Sequence, residues 1–265
     1  MNETILHIGT LKTGTTSFQK WFSDNEVHLR DKHNVALFRG QWPDSRELAA
    51  ICINDNRDTP ATALNFFPAR GSADWQSWSA NIAADISRQQ AEAHARGNRF
   101  VVSSEALCLL RRPEEISRLT ELFGAADVTI IVTLRYPKDF LSSWKQHLNH
   151  DFFKRSKDKT SFAYVKRDSW LVDYEQLLMA YRNQFGRHKV HVISYDEALQ
   201  LEGSVIPALA RECIGTADDL PQWSSYMLNR SKRPPRPPIK GMARPRHYAR
   251  YYLWKARKKL TQKRE

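Results

Sequence analysis

The feature that most constrains the fold is an unbroken run of β-branched and apolar residues, Val-Thr-Ile-Ile-Val-Thr-Leu, at positions 128–134. β-Branched side chains favour strands, and a run that does not alternate with polar residues is typical of a strand buried on both faces. Strands of this kind lie in parallel sheets that carry helices on each side. Residues 128–134 therefore predict a central parallel strand.

Shorter patterns place strands and helices alternately along the rest of the chain. Apolar runs predict further strands at residues 5–8, 100–103 and 189–194. Apolar residues at helical spacing predict helices over residues 15–25, 74–97 with Asp74 as N-cap, 114–123, 137–150, 169–185 and 199–214. Residues 36–73 and 151–167 match neither pattern and are predicted to be irregular. This alternation predicts an α/β fold, a three-layer sandwich with a mostly parallel central sheet.

The positive charge of the chain is concentrated at one end. The sequence has 41 Lys and Arg residues against 29 Asp and Glu residues, which gives a net charge of +12. Residues 230–265 alone carry a net charge of +13, so residues 1–229 are close to neutral. We therefore predict a globular domain at residues 1–229 and a basic, Pro/Arg-rich extension at residues 230–265. A domain coated with nucleic acid is disfavoured, and no nucleic-acid partner is expected.

The basic extension has a composition that suits a membrane surface. Prolines predict an extended segment at residues 234–245, and residues 246–264 combine basic and aromatic side chains in a predicted amphipathic helix. A solvated basic tail is the alternative interpretation. The sequence has no secretion-signal pattern and no apolar run near the ~20 residues that cross a bilayer. We therefore expect a cytoplasmic protein with peripheral contact at the inner face of the membrane.

A glycine-containing loop, Gly-Thr-Leu-Lys-Thr-Gly-Thr-Thr, follows the first predicted strand at residues 9–16. Backbone N–H groups of such a loop bind anions together with the positive end of the next helix. The two glycines have the separation found in ATP-binding P-loops, but Thr15 stands where those loops have a lysine, and the lysine here is Lys12. A tight turn without a ligand explains two glycines alone. The lysine and threonines favour a phosphate-binding loop.

The segment Lys-Thr-Gly-Thr-Thr-Ser-Phe-Gln at residues 12–19 resembles the 5′-phosphosulfate loop of sulfotransferases that use 3′-phosphoadenosine 5′-phosphosulfate (PAPS). This resemblance implies a P-loop NTPase-like fold with PAPS as the sulfuryl donor. It also implies that the 5′-phosphosulfate is bound by Lys12, Thr13, Gly14, Thr15 and Thr16.

Two further segments resemble the same family. Arg135 and Ser143, in Arg-Tyr-Pro-Lys-Asp-Phe-Leu-Ser-Ser after the strand at residues 128–134, stand where the family binds the 3′-phosphate of the nucleotide. A planar guanidinium suits this role because it donates paired hydrogen bonds to phosphate oxygens. Tyr195 follows the strand at residues 189–194 and resembles a contact to adenine. A tyrosine packed on the sheet is the alternative.

Sulfuryl transfer needs a base for the acceptor proton and positive charge where the leaving oxygen develops. The resemblance assigns the positive charge to Lys12 and requires no metal ion. It assigns the base to an acid after the strand at residues 100–103, which is Glu105. His7 is the competing base, although a histidine on the first strand also suits a packed position. The two serines that precede Glu105, Ser103 and Ser104, are open candidates for contacts to acceptor or donor.

The predicted function is sulfuryl transfer to a hydroxyl, and less readily to an amine. A saccharide or glycolipid is the preferred acceptor, since a glutamate base resembles that of glycan sulfotransferases. A nucleotide-triphosphate-dependent P-loop kinase and a protein that binds membranes or nucleic acid through its basic tail are the alternatives. The displaced lysine and the absence of an aspartate at the end of the strand at residues 128–134 disfavour the kinase. Cys52, Cys108 and Cys213 lack metal-ligand spacing and are predicted to be buried thiols.

Overall fold

Five parallel strands form one sheet in the structure, a computed structural model that describes residues 3–124, 126–150, 153–216 and 219–226. The order of the strands across the sheet is β2-β3-β1-β4-β5. In the register, Ile5 of β1 lies opposite Val101 of β3 and Thr129 of β4. The strands are β1 Glu3–His7, β2 Val35–Leu37, β3 Arg99–Ser103, β4 Asp127–Leu134 and β5 Val190–Ser194. β4 was predicted to be a central parallel strand; it pairs in parallel with β1 on one side and β5 on the other, while β1 holds the middle of the sheet.

Ten α-helices connect these strands or follow them in the part of the chain that the structure describes. They are α1 Thr15–Asp24, α2 Glu26–His33, α3 Arg46–Cys52, α4 Pro60–Ala63, α5 Ala73–Ala95, α6 Pro113–Phe123, α7 Pro137–His150, α8 Tyr174–Phe185, α9 Tyr195–Glu202 and α10 Ile206–Ile214. Short 3-10 helices cover Glu105–Leu109, Trp170–Val172, Arg187–Lys189 and Ser224–Tyr226. None of the helices within these described ranges is long and apolar enough to cross a membrane.

Apolar side chains cover both faces of the sheet. Leu6 of β1 belongs to a buried cluster with side chains of α5, α6, α7 and α8, among them Trp144. The adjacent Ile5 belongs to a second buried cluster with side chains of α1 and α10, among them Phe18. Successive residues of a strand point to opposite faces, so both faces of β1 are packed against helices. The three-layer α/β fold predicted from the sequence is confirmed, with a sheet that is parallel throughout.

The sequence prediction was wrong in residues 36–73, which contain more than irregular structure. β2 ends there, and α3 and α4 lie within it. These elements have only three, seven and four residues. An amphipathic pattern needs about two helical turns or several strand residues before it can be distinguished from a loop. The sequence analysis also did not predict α2 at residues 26–33, because this helix carries a single buried residue, Leu29.

Three predicted helices have different ends in the structure. Gly203, with a positive φ of 70°, divides residues 199–214 into α9 and α10. Asp173 caps α8 by accepting a hydrogen bond from the Gln176 N–H at 3.0 Å, so the helix begins after a separate 3-10 turn. The N-cap of α5 is Ser72, whose hydroxyl accepts from the Trp75 N–H at 3.0 Å, rather than Asp74.

The three cysteines are buried, as predicted. The basic extension at residues 230–265, with its extended segment at residues 234–245 and its helix within residues 246–264, lies outside the described residues. The boundary between the two predicted parts of the chain stays a prediction.

Candidate active site

The loop between β1 and α1 is built as an extension of the β1–β4 ladder. Its Ile8 and Thr10 N–H groups donate to the carbonyls of Ile131 and Thr133, both at 2.9 Å. The Thr13 hydroxyl donates to the Thr10 carbonyl at 2.5 Å, so this buried side chain holds the two ends of the turn together. The loop is therefore fixed at the carboxyl edge of the sheet, where parallel α/β folds bind ligands.

Gly14 forms the N-cap of α1, and its conformation requires glycine. Its φ is +79°, and a methyl group at this position would lie 2.9 Å from Cγ1 of Val205 and 3.4 Å from the ring of Tyr195. No side chain caps the first turn of α1. Helix starts without a side-chain cap, after a glycine-containing loop, are the sites that attract phosphate or sulfate oxygens.

Lys12 has a backbone conformation that is unusual for a residue with a side chain. Its φ is +68°, in the left-handed region. The Lys12 carbonyl accepts a hydrogen bond from Nη1 of Arg135 at 3.1 Å, which ties the loop to the end of β4. Left-handed non-glycine residues are held in place by their surroundings and cluster at functional sites. The strain at Lys12 therefore favours a functional role for this loop over a simple turn.

Arg135 lies between the loop and Tyr195. Its guanidinium stands 5.2 Å from the centre of the Tyr195 ring, and its backbone carbonyl accepts from the Tyr174 hydroxyl at 2.7 Å. Its Nε is buried and has no hydrogen-bond partner among the residues that the structure describes. The structure thus brings together Lys12, Arg135 and Tyr195, which lie in three separate segments of the sequence. Ser143 lies in the second turn of α7 with a partly exposed side chain, and no contact within the described residues joins it to this group.

Glu105 follows β3 and begins the 3-10 helix Glu105–Leu109. Burial, with a smaller contribution from the nearby carboxylate of Asp44, raises the pKa of its carboxyl group to about 6. The ammonium of Lys12 and the guanidinium of Arg46 act in the opposite direction. A carboxyl group with this pKa is ionised at neutral pH and close to the ideal basicity for accepting a proton. Glu105 and Lys12 therefore lie within electrostatic reach of each other, as the two proposed catalytic groups must.

The structure supports a packed position for His7 and not the role of a base. Its side chain is fully buried, Nδ1 is 2.9 Å from the Ser103 hydroxyl, and Nε2 is 3.1 Å from the Thr133 hydroxyl. Burial lowers the pKa of His7 to about 3. Ser104 is also buried, and its hydroxyl donates to the Ser45 carbonyl at 3.0 Å. His7, Ser103 and Ser104 are therefore buried behind the edge of the site and held by hydrogen bonds within the protein.

Nε of Arg135 is a buried polar atom that has no hydrogen-bond partner among the described residues. Buried polar atoms are almost always hydrogen-bonded, so an unpartnered one beside the start of α1 fits an anionic phosphate group. The Thr15 hydroxyl, in the first turn of α1, is also buried and interacts with the Glu105 carboxylate. Thr16, which follows Thr15, is exposed. Within the residues that the structure describes, no three His, Cys, Asp or Glu side chains group as a metal site would require.

Two residues of the site, Asp44 and Arg46, belong to no motif that could be identified in the sequence. They lie between β2 and the start of α3, where Nε and Nη2 of Arg46 donate to the Asp44 carboxylate at 2.6 to 3.0 Å. Ser45 between them has a left-handed φ of 49°, and its carbonyl receives the Ser104 hydroxyl. Only the folded chain shows that this loop lies beside Glu105, since about sixty residues separate the two segments.

Comparison with known proteins supports the fold. No family model matches the sequence, and no curated protein matches it. Among solved structures, the chain is similar to a sulfotransferase from Alicyclobacillus acidocaldarius, with 15% identity, 83% of this chain and 84% of that chain covered, and a TM-score of 0.52. A sulfotransferase domain from the curacin biosynthetic pathway has 12% identity, coverage of 93% of this chain and 81% of that chain, and a TM-score of 0.45.

The central parallel sheet, its helical layers and the loop between β1 and α1 define a P-loop-like α/β protein. Within that class, the structural similarity shows that the chain has a sulfotransferase-like fold.

Proposed function

We propose that this protein transfers the sulfuryl group of PAPS to a hydroxyl group of an acceptor, and less readily to an amine. The observation that carries the proposal is the position of Lys12, which lies on a strained phosphate loop between Arg135 on one side and Glu105 on the other. PAPS supplies the activated sulfuryl group when it is bound. The sulfotransferase-like fold supports this chemistry in general.

Two kinds of support identify the residues that would hold PAPS: the family resemblance and the polar atoms that the site leaves available. The backbone N–H groups of residues 13–16 and the hydroxyls of Thr15 and Thr16 would bind the 5′-phosphosulfate. Arg135, whose Nε has no partner, would bind the 3′-phosphate. Ser143 would contribute a hydroxyl to that phosphate, and Tyr195 would contact the adenine. The Arg135 guanidinium lies over the Tyr195 ring. Both groups are flat, which favours a binding surface for the flat adenine.

Two side chains would perform the chemistry. The Glu105 carboxylate accepts the proton of the acceptor hydroxyl as that oxygen attacks the sulfur atom of the sulfuryl group. The Lys12 ammonium stabilises negative charge on the oxygen that leaves. In transfers of this kind, where the transition state is loose, position and electrostatics supply most of the catalysis, so both groups need only be held in place. A saccharide or glycolipid is the acceptor that we propose.

Calorimetric titration tests the donor directly. The full chain is titrated without divalent metal with 3′-phosphoadenosine 5′-phosphate, AMP, ADP and ATP, and with ATP and Mg²⁺ in a separate arm. We expect binding that requires the 3′-phosphate. Arg135→Lys keeps the charge but loses the paired donors, so its affinity should fall, while the control Arg30→Lys, at a half-exposed arginine of α2, should bind as the wild type does.

The calorimetric result also decides between the proposed function and its enzymatic alternative. Preference for ATP with Mg²⁺ would support the kinase instead. An absence of nucleotide binding in a folded protein would overturn the sulfotransferase proposal.

We also propose that residues 246–264 make peripheral contact with anionic lipid at the inner face of the membrane. The support is the net charge of +13 over residues 230–265, together with the aromatic residues of that segment. Flotation with vesicles of neutral phospholipid, and with vesicles that contain phosphatidylglycerol, tests the contact. The full chain should float only with the anionic vesicles, and deletion of residues 234–265 should abolish flotation while nucleotide binding is kept.

A further inference from the structure

The loop between β2 and α3 forms a wall beside the proposed base. Ser45 stands between Asp44 and Arg46, and its carbonyl receives the hydroxyl of Ser104, the residue that precedes Glu105. A second hydrogen bond, from the Ser45 N–H to the Trp42 carbonyl at 2.9 Å, closes the loop. This double attachment places Asp44 and Arg46 next to Glu105.

The loop is also fixed from behind. Glu47 is fully buried, and its Oε1 accepts a hydrogen bond from the Gln41 N–H at 2.9 Å. A methyl group at Gly40 would lie 1.9 Å from the same oxygen, so the chain passes directly over this carboxyl group. The wall therefore has a defined shape before any ligand arrives, as a binding surface requires.

Two side chains of the wall and Phe66, which packs beside it after α4, remain accessible. The Arg46 side chain is 34% exposed and the Asp44 side chain is 22% exposed. The Arg46 guanidinium lies 5.6 Å from the centre of the Phe66 ring, and Phe66 is 47% exposed. Two nitrogens of Arg46 bind Asp44, while its Nη1 has no hydrogen-bond partner among the described residues. The wall thus offers a free donor, a carboxylate and an aromatic surface.

The charges beside Glu105 disfavour an anionic acceptor. Asp44 neutralises Arg46 within their ion pair, and the carboxylate of Glu105 lies nearby together with the ammonium of Lys12. An anionic group would meet two carboxylates, and the negative charge of a bound PAPS would offset the positive charge of Lys12. A neutral polyol suits these groups, because each hydroxyl both donates and accepts hydrogen bonds. The apolar C–H face of a sugar ring can pack on Phe66.

We propose that Asp44, Arg46 and Phe66 form the acceptor subsite, and that they select a neutral hexopyranose whose hydroxyl reaches Glu105. This inference rests on the proposed function, since it assigns the sugar to the reaction of the same site. Arg46 Nη1 donates to one ring hydroxyl, Asp44 accepts from a neighbouring hydroxyl, and Phe66 supports the ring.

Saturation-transfer NMR tests the subsite without relying on catalysis. The full chain is mixed with methyl β-D-galactopyranoside, methyl β-D-glucopyranoside or methyl α-D-mannopyranoside, with and without 3′-phosphoadenosine 5′-phosphate. Methyl β-D-glucuronide serves as the anionic comparison. The variants are Phe66→Ala and Arg46→Lys. Their matched controls are Leu64→Ala, at an exposed position, and Arg30→Lys, at a half-exposed one.

We expect at least one neutral glycoside to bind, and to bind more tightly than the glucuronide. Each of the two site variants should weaken that binding by about fivefold, the effect of losing one net hydrogen bond or an equivalent contact. The two controls should bind as the wild type does. The affinity for 3′-phosphoadenosine 5′-phosphate, measured by calorimetry on the same samples, should be unchanged in all four variants.

The outcomes separate the two proposals. No binding of any neutral glycoside, tighter binding of the glucuronide, or unchanged binding in Phe66→Ala and Arg46→Lys overturns the subsite, even if the nucleotide binds. Glycoside binding that depends on Phe66 and Arg46 supports the subsite, and if the nucleotide then fails to bind, the donor assignment alone is lost.

Discussion

Replacement of Glu47 by glutamine should change the pH dependence of stability in a way that follows from its position. The Glu47 side chain is fully buried in the first turn of α3. One carboxyl oxygen accepts from the Gln41 N–H, but the other is buried without a partner. Burial raises the pKa of Glu47 to about 7, with a smaller contribution from Asp44. The folded protein therefore holds this carboxyl in its neutral form over a range in which the unfolded chain has lost the proton.

The sign and size of the effect follow from linkage. The pKa is 4.5 in the unfolded reference and about 7 in the folded protein. Between these values the folded state binds more protons than the unfolded state, so stability falls as pH rises through this range. At 1.36 kcal/mol for each pKa unit, the loss is at most about 3 kcal/mol above pH 7. Glutamine keeps the shape of the side chain and the acceptor for Gln41, but it has no charge to bury.

Urea unfolding of the wild type and Glu47→Gln, at several values between about pH 5 and about pH 8, measures this difference. The variant should gain stability relative to the wild type as pH rises, by up to about 3 kcal/mol at the upper end. Other titrating groups, including His7 with its opposite sign, are common to both proteins and cancel in the difference. The exposed substitution Glu175→Gln is the control. A difference between wild type and Glu47→Gln that does not vary with pH would refute the reasoning.

Three further changes test other parts of the structure. Glu105→Gln should lower kcat/KM by about 10²–10⁴-fold, and the wild-type rate should rise with pH to a plateau above about 6 while the variant shows no such rise. Gly14→Ala should cost about 1–3 kcal/mol in urea unfolding, because its φ is positive and the added methyl meets Val205. Gly97→Ala, with φ +74° and open space around it, should cost less. Trp144→Ala removes a fully buried side chain and should cost about 3–5 kcal/mol by the same assay.

Long, consistent patterns made most of the fold predictable from the sequence. The strand β4 has eight residues, and the predicted ends of α7 coincide with Pro137–His150, because a proline in the first turn marks the start of the helix. Short elements could not be predicted in this way. β2 has three residues and is defined by its pairing with β3, which is a property of the folded sheet and not of the local sequence.

The candidate site was predictable where its residues lie in local motifs and unpredictable elsewhere. Lys12 and Arg135 follow strands within recognisable segments, and the structure joins them by a hydrogen bond. Arg46 and Asp44 are two residues apart and form an ion pair. No helix or strand pattern in this segment predicts that pair. Their position beside Glu105 depends on the left-handed turn at Ser45, which no sequence pattern of the surrounding residues indicates.

The order of the strands explains how the two halves of the proposed reaction are separated. The loop with Lys12 follows β1, which lies in the middle of the sheet. Arg135 follows β4 and Tyr195 follows β5, so the proposed nucleotide contacts lie on one side of that loop. Glu105 follows β3 and Arg46 lies beyond β2, so the proposed base and acceptor subsite lie on the other side. Because carboxyl ends of parallel strands meet at one edge, Lys12 must stand between donor and acceptor, where positive charge is needed during transfer.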